Sequence, residues 1–410
     1  MKKPEILSPA GDLEKLKTAV LYGADAVYIG GRNFSLRSRS KNFSNEQMKE
    51  GFDFAHSRQK KVYVAVNVFA RNSDFDTLPE YIDTAAKAGA DAFIISDPGV
   101  FAVAKEVAPK VDIHISTQAN VTSFKTVEFW KNIGASRIVL ARELNFEEIT
   151  EISKKVSSIE LECFVHGAMC VSYSGRCILS NALTARSGNR GECSQPCRYE
   201  YAIAESTRPN EYFPIEEDSR GSYVLNSKDL RMIEYIPELI NAGISSFKIE
   251  GRMKTPLYVG AATSAYRQAI DDYFENEQKY KENIPQYIDK LSKASSRDFC
   301  TGFYFAPPDE SAHIYSGKSY VRSYDFAGIV LDYDNATKTA EIEQRNKFSV
   351  GDEVEFLCTD GRSFVQKIQN ITANDVSVQS APHPLQKVKI NVCCPVAPFD
   401  MMIKSVSSSS

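Results

Sequence analysis

A short motif recurs along the first 250 residues: the end of a helical pattern, a glycine, a small or polar pair, and a run of apolar residues. It occurs in LYGADAVYIG (21–30), KAGADAFIIS (87–96), NIGASRIVLA (132–141) and NAGISSFKIE (241–250). Glycine at the C-terminal end of a helix adopts the left-handed conformation at little cost. The apolar run that follows is typical of a strand buried on both faces. Each copy therefore predicts the junction between a helix and the next strand of a repeating βα unit.

Eight apolar runs are predicted to be strands: 5–9, 26–30, 62–67, 92–96, 112–117, 137–141, 160–166 and 246–250. Helical patterns lie between them, for example at 13–22, 46–57, 123–133 and 230–242. Eight strands that alternate with helices predict an α/β fold, a (β/α)8 TIM-type barrel. An open doubly wound sheet is the alternative, but no GxGxxG loop follows the first strand.

The pattern changes after about residue 275. A charged, partly helical stretch gives way to short alternating strands joined by Asp-Asn, Gly-Asp and Asp-Gly turns. We therefore predict a barrel over 1–275, a helical and loop segment packed on the barrel over 276–320, and a small antiparallel β-barrel over 321–404. Residues 405–410 are predicted to be a disordered tail.

The composition is ordinary for a globular protein, with 410 residues, 43% apolar residues and a net charge of −4. The N-terminus has no apolar signal core, and no run approaches the roughly 18 apolar residues needed to span a membrane. We predict a cytoplasmic protein that contacts no membrane. Because the chain is not a polycation, any binding of nucleic acid requires a local basic surface.

The cysteines are concentrated in residues 160–199, which read ELECFVHGAMCVSYSGRCILSNALTARSGNRGECSQPCRY and hold five of the nine. Cys163 lies in a predicted strand and is expected to be a packed residue. The other four lie in a predicted insertion, 167–222, after strand 7; they are Cys170, Cys177, Cys193 and Cys197. In a reducing compartment such a cluster indicates metal ligands or a catalytic group rather than disulfides.

Three kinds of site are compatible with these cysteines. Four thiolates suit tetrahedral zinc or an iron–sulfur cluster. Structural zinc sites usually use two close pairs, and only Cys193 and Cys197 are close, so the spacing slightly favours a [4Fe-4S] cluster. A nucleophilic cysteine assisted by His166 is the third possibility.

Polar residues follow the predicted strands at the ends that meet on one face of a barrel. Arginines are frequent among them, and the guanidinium fork matches carboxylates and phosphates. We therefore predict an anionic ligand on this face. The arginines that we select are Arg37, Arg142, Arg190 and Arg252.

Several long blocks of the sequence resemble peptidase family U32, the collagenase-like proteins. The blocks include ILSPAGDLEKLKTAVLYGADAVYIGG, HISTQANVT, ELECFVHGAMCVSYSGRCILSN, GNRGECSQPCRYEY, FKIEGRMK and RDFCTGFYF, in family order. The branch most similar in length and architecture is that of the prephenate-dependent tRNA uridine hydroxylases. The resemblance implies an O2-independent enzyme that makes 5-hydroxyuridine at the tRNA wobble position. Hydroxylation of rRNA or of a quinone precursor, peptidase activity, and a zinc-bearing assembly protein are the alternatives.

The resemblance also implies site residues. Four cysteines would hold the [4Fe-4S] cluster: Cys170, Cys177, Cys193 and Cys197. The assignment of Cys197 as the fourth ligand is open, because this sequence has Arg231 at a position where some relatives have a cysteine. The four selected arginines would bind prephenate, a dicarboxylate. Tyr173 would stack on a base of the anticodon loop, and His166 or Glu250 would move protons. A partner subunit of the same family is possible.

Overall fold

The computed structural model of the chain describes residues 2–31, 33–35, 42–170, 172–198, 202–204, 212–214, 228–295, 297–307 and 323–406. The chain divides into two compact units. The first comprises Met1–Lys17, Asp25–Lys254 and Arg297–Ser319, and the second comprises Thr18–Ala24, Thr255–Ser296 and Tyr320–Ser410. The domain bounds predicted from the sequence stay predictions.

The first unit contains a closed parallel barrel of eight strands. The strands of this unit, in chain order, are β1 (Glu5–Pro9), β2 (Ala26–Gly30), β3 (Lys61–Val66), β4 (Ala92–Ile95), β5 (Asp112–Ile115), β6 (Arg137–Val139), β7 (Glu160–Ala168), β8 (Ala202–Ala204), β9 (Tyr212–Pro214), β10 (Asp229–Arg231), β11 (Ser246–Ile249) and β12 (Phe299–Cys300). Strands β1 to β7 pair in order, and β11 pairs in parallel with both β7 and β1. This closure confirms the predicted TIM-type barrel.

Helices separate the barrel strands as the apolar periodicity predicts. They are α1 (Leu13–Leu21), α2 (Asn45–His56), α3 (Leu78–Ala88), α4 (Pro98–Val107), α5 (Phe124–Asn132), α6 (Phe146–Lys155), α7 (Leu179–Thr184) and α8 (Ile236–Asn241). The four motif glycines all have positive φ: Gly23, Gly89, Gly134 and Gly243. They therefore end their helices in the predicted left-handed conformation.

One predicted helix is wrong at its start. The range 230–242 begins with β10, which pairs antiparallel with His166–Ala168 at the end of β7. Strand β7 continues two residues beyond its predicted end, to Ala168. Its last backbone groups need partners, which β10 supplies, and β12 pairs in turn with β10.

The second unit contains two long helices, α9 (Pro256–Glu275) and α10 (Glu277–Ala294), and an antiparallel sheet. The strands are β13 (Tyr324–Asp334), β14 (Thr339–Gln344), β15 (Phe348–Ser349), β16 (Glu353–Leu357), β17 (Ser363–Lys367), β18 (Ile371–Ala373), β19 (Val376–Val378), β20 (Ser380–Ala381), β21 (Lys387–Asn391) and β22 (Met401–Ser405). Eight of them form one sheet in the order β17-β16-β22-β13-β14-β21-β18-β19. Strand β22 reaches Ser405, the first residue of the predicted tail, and 407–410 lie outside the described residues. No helix among the described residues has the length and apolar content to cross a membrane.

Candidate active site

A cavity of about 230 Å³ lies at the C-terminal ends of the barrel strands. Its wall includes residues from five strands or the turns that follow them: Tyr28, Asn67, Gln118, Arg142 and Glu250. The residues after β7 complete the wall. The barrel therefore has its cavity on the face where TIM barrels carry their active sites.

All four selected cysteines line this one cavity: Cys170, Cys177, Cys193 and Cys197. Two of their sulfurs accept backbone hydrogen bonds. The amide of Leu179 donates to Cys177 Sγ at 3.3 Å, and the amide of Gln195 donates to Cys193 Sγ at 3.4 Å. Amide donors of this kind stabilise a thiolate and tune the potential of a cluster held by it.

The cysteines are not drawn together as the ligands of one ion would be. In the part of the chain that the structure describes, no group of three or more His, Cys, Asp or Glu residues could hold a single metal ion. Four cysteine thiols around one cavity are the type of donor set that an iron–sulfur cluster takes. Arg231, by contrast, pairs with Glu234 at 2.5 Å and does not line the cavity.

Arg190 holds the cysteine segment in place instead of pointing into the cavity. Its guanidinium donates to both carboxylate oxygens of Asp74, at 2.8 and 3.0 Å, and to the carbonyl of Phe69 at 3.1 Å. The hydrogen bond from Arg190 is the main reason that the pKa of Asp74 lies below its usual value. The structure therefore does not bring Arg190 together with Arg142 and Arg252 in the cavity lining, and the guanidinium group of Arg190 is already hydrogen-bonded.

Among the described residues, four cations and one carboxylate line the cavity. The cations are Arg142, Lys248, Arg252 and Lys254, and the carboxylate is Glu250. Lys248 and Lys254 also pair with buried carboxylates, those of Glu162 and Asp229, so the positive charge that favours an anionic ligand rests chiefly on the two guanidinium groups. Two of the predicted arginines, Arg142 and Arg252, thus lie at one site as expected.

Arg252 is almost fully buried and has a defined orientation. Its Nη1 donates to Ser35 Oγ at 2.7 Å, and it lies where a β-carbon on Gly30 would be. The glycine at the end of β2 therefore makes room for the guanidinium. Arg37, which was selected with it, lies outside the described residues.

Lys248 forms the floor of the cavity and belongs to a buried charged network. Its Nζ donates to Glu162 Oε1 at 2.7 Å and lies 4.8 Å from the ring centre of Tyr28. Glu162 also accepts from Arg137 at 3.1 Å, and Arg137 in turn pairs with Glu5 at 2.5 Å. Burial alone would raise the pKa of Glu5, but the charge and hydrogen bonds of Arg137 outweigh burial and lower it. The network therefore holds Lys248 in place in the cavity wall.

Glu250, a predicted proton-transfer group, lies in the cavity wall. Tyr28 donates to its Oε2 at 3.2 Å and to the carbonyl of Ile249 at 3.0 Å. Tyr28 thereby orients the carboxylate, which is the arrangement that a general base requires. This contact of Tyr28 could not be expected from the sequence, because the residue lies inside a strand.

His166, the other predicted proton-transfer group, is buried and does not line the cavity. Its ring centre lies 5.4 Å from that of Phe299 on β12. Burial, and then the positive charges of Lys254 and Arg231, lower its pKa from 6.5 to about 3. A neutral, enclosed imidazole at this position packs against β12 and is not available to a ligand.

Tyr173 lies next to the cavity wall without forming part of it. Its side chain is 53% exposed, and the following residues, Ser174 and Gly175, line the cavity. Ser174 is fixed by Glu143, which accepts from its hydroxyl at 2.6 Å. The exposed ring of Tyr173 is thus held beside the wall, as a residue that stacks on a larger ligand would be.

Comparison with known proteins gives a family. Residues 11–314 match peptidase family U32, and residues 322–402 match the C-terminal domain of that family. The tRNA hydroxylation protein P1 of Bacillus subtilis is 42% identical over 404 residues, which cover 98% of this chain and 95% of that protein. The tRNA hydroxylation protein P of Escherichia coli is 36% identical, covering 88% and 87%. A protein of Porphyromonas gingivalis named collagenase is 30% identical, covering 98% and 97%.

Proposed function

Since the chain belongs to peptidase family U32, we propose that it is an iron–sulfur-dependent, O2-independent tRNA hydroxylase. Its reaction would be 5-hydroxylation of a wobble uridine in the anticodon loop, with prephenate as co-substrate. One observation carries the proposal: four cysteines and four cations line the same cavity. Relatives over nearly the full chain are named for tRNA hydroxylation, which supports the choice of RNA.

The cysteines would hold a [4Fe-4S] cluster. Four thiol side chains surround the cavity, and two of them accept backbone amide hydrogen bonds. When bound, the cluster would supply one-electron redox chemistry beside the substrate. The remaining work falls to the chain itself, which must bind the two substrates and place a base.

Prephenate would bind through its two carboxylates. Arg252 and Lys248 are both buried, and each is held by a partner in the same chain, Ser35 and Glu162. Cations that are fixed before the ligand arrives lose little entropy on binding. Glu250, oriented by Tyr28, would hold or accept the proton that leaves the substrate.

A peptidase is the alternative, supported by the collagenase name of one relative. The cavity argues against it. None of the described residues that line it is a histidine that could activate one of the four cysteines as a nucleophile. His166, the histidine that could assist a nucleophilic cysteine, is buried and neutral. Hydroxylation of rRNA or of a quinone precursor would use the same site.

The test begins with anaerobically purified protein. We expect broad visible absorption and four iron atoms per chain, both lost in Cys177→Ser. Cys393→Ser is the matched control, because Cys393 is exposed and lies in the second unit, and it should keep the iron.

The substrate is tested in cells. Nucleosides from tRNA of a strain lacking the gene and its paralogues should lack 5-hydroxyuridine derivatives. Expression of the wild type should restore them without O2, and Cys177→Ser should not.

Two results would contradict the proposal. A colourless protein with one tightly bound zinc would show that the cysteines do not hold an iron–sulfur cluster. Unchanged 5-hydroxyuridine in the deletion strain would show that tRNA is not the substrate, and hydroxylated rRNA or quinone precursors would then be measured in the same cells.

A further inference from the structure

Two polar groups in the cavity wall have no hydrogen-bond partner within the described residues. One is an acceptor, Oε1 of Gln118, and the other is a donor, Nε of Arg142. Both atoms are buried, and only 7% of Gln118 is exposed. A buried polar group without a partner costs about 1–3 kcal/mol. At a binding site this cost is recovered when the ligand supplies the missing partner.

The two groups are held on neighbouring loops. Gln118 lies in the 3-10 turn Thr117–Ala119 after β5, and Arg142 lies directly after β6. The hydroxyl of Thr117 donates to the carbonyl of Leu140 at 3.1 Å, which ties the two loops together. The positions of both side chains are therefore set by adjacent strands of the barrel.

The backbone of Gln118 is fixed on both sides. Its amide donates to Ser116 Oγ at 3.4 Å, and its carbonyl accepts from Arg176 Nε at 3.0 Å. The turn that contains Gly175 closes over the side chain, because a β-carbon there would be 3.4 Å from Gln118 Nε2. Arg142 is fixed by stacking on the Phe164 ring at 3.8 Å and by donating to the carbonyl of Ala168 at 3.3 Å.

The missing partners define the chemistry of the ligand. An unfilled acceptor and an unfilled donor on neighbouring loops are both satisfied by a ligand that carries an N–H next to a carbonyl. A carboxylate cannot satisfy Gln118 Oε1, because it has no proton to donate. The two carboxylates of prephenate therefore do not complete this part of the wall, and its single hydroxyl could fill only the acceptor. A uracil ring satisfies both groups, because its N3–H lies between two carbonyl oxygens.

We infer that Gln118 and Arg142 recognise the target base by its N3–H and an adjacent carbonyl. Gln118 Oε1 accepts from N3–H, and Arg142 Nε donates to the carbonyl. This inference rests on the proposed function, because uridine as the substrate comes from there. It moves Arg142 from prephenate, for which the sequence selected it, to the base, and leaves prephenate to Arg252 and Lys248.

A modified base provides the test. Two RNA stem–loops with the same anticodon-arm sequence carry either uridine or N3-methyluridine at the wobble position. The methyl group removes the N3–H and leaves the phosphates unchanged. Equilibrium binding is measured by fluorescence anisotropy at one fixed salt concentration, since phosphate contacts vary with salt. We expect the wild type to bind the uridine loop about tenfold more tightly, the equivalent of one good specific pairing.

Gln118→Met keeps the length of the side chain and removes the amide. We expect this variant to bind both loops with affinities within about twofold of each other. Gln286→Met, on the exposed part of α10, is the matched control and should keep the tenfold preference. Arg142→Lys keeps the charge and removes Nε–H, so it should weaken the binding of both loops, because both bases carry the carbonyl. Thermal unfolding and iron content of each variant show whether the fold is retained.

Equal binding of the two loops by the wild type would overturn the inference, and so would a preserved preference in Gln118→Met. If 5-hydroxyuridine still disappears from the deletion strain in those cases, the proposed function stands and only the base-reading role fails. If neither loop binds and the nucleosides are unchanged, both proposals fail together.

Discussion

The guanidinium of Arg252 occupies the space that a β-carbon on Gly30 would fill. Gly30 ends β2, and Ser35 accepts from the same guanidinium at 2.7 Å. Gly30→Ala should therefore push Arg252 away from its place in the cavity wall. Because overpacking at a buried position typically costs about 1–3 kcal/mol, we expect prephenate to bind at least tenfold more weakly, measured by isothermal titration calorimetry under anaerobic conditions.

Ser35→Ala gives a graded comparison, because it removes the hydrogen-bond acceptor without adding an atom. We expect a weaker effect in the same direction, about threefold to tenfold on the prephenate affinity. Iron content should be unchanged in both variants. Normal prephenate binding by Gly30→Ala would mean that Arg252 does not contact the co-substrate.

The buried imidazole of His166 should make the protein sensitive to acid. Its folded-state pKa of about 3 is below the usual 6.5, so the unfolded state binds the proton first as the pH falls. Its contribution to stability is complete above pH 6.5 and is lost as the pH falls towards 3. We expect His166→Asn to reduce the slope of unfolding free energy against pH in this window by up to about 1.4 kcal/mol per pH unit.

Urea-induced unfolding at several pH values measures this slope. His114 also has a lowered pKa, chiefly through burial, so the variant should keep part of the pH dependence. We also expect the pH profile of the hydroxylation rate to be the same in the wild type and in His166→Asn. An ionisation near pH 6.5 that is present in the wild type and missing in the variant would show that His166 is a proton-transfer residue.

The barrel could be predicted from the sequence because its signals are local. Each strand is a short apolar run, and four of the helix-to-strand junctions carry a glycine with positive φ, as at Gly89 and Gly134. All eight predicted strands agree with the observed ones to within two residues at each end. Residue type and position in the chain also selected the four cysteines, Arg142 and Arg252, which the structure places around one cavity, and their roles there stay predictions.

The partners of the site residues could not be predicted, because they are distant in the sequence. Arg190 and Asp74 are 116 residues apart, and Arg252 and Ser35 are 217 apart. The residues next to an arginine in the sequence do not show whether its side chain will hold a loop in place or line a cavity. The burial of His166 could not be predicted for a similar reason: β10 and β12, which cover it, join the sheet from later parts of the chain.

The pairing of Lys248 with Glu162 gives a stability prediction. Glu162 is fully buried and serves both Lys248 and Arg137. Glu162→Gln leaves two buried cations without this carboxylate, and removal of one member of a buried pair costs about 3–5 kcal/mol. We expect a loss of that size in the free energy of unfolding, measured with urea at pH 7.

Glu160→Gln is the control, because Glu160 also contacts Arg137 but is 45% exposed. Its loss should be about 1 kcal/mol or less. Similar losses in the two variants would show that the buried carboxylate does not secure Lys248 in the cavity floor.

The bidentate contact between Arg190 and Asp74 should control how firmly the cysteine segment is held. Asp74→Asn removes the charge and one of the two acceptor oxygens, so the segment should open more often while overall stability falls by only about 1 kcal/mol. We therefore expect an iron chelator to remove the cluster several times faster than from the wild type, as measured by the decay of the visible absorption.

Asp76→Asn is the control, because Asp76 lies in the same 3-10 turn as Asp74, Asn72–Asp76, but is exposed; it should lose iron at the wild-type rate. Arg190→Lys should also lose iron faster than the wild type, because an ammonium group cannot reproduce the two parallel hydrogen bonds. Equal rates in Asp74→Asn and the wild type would mean that other contacts, such as that of Ser174 with Glu143, hold the segment closed.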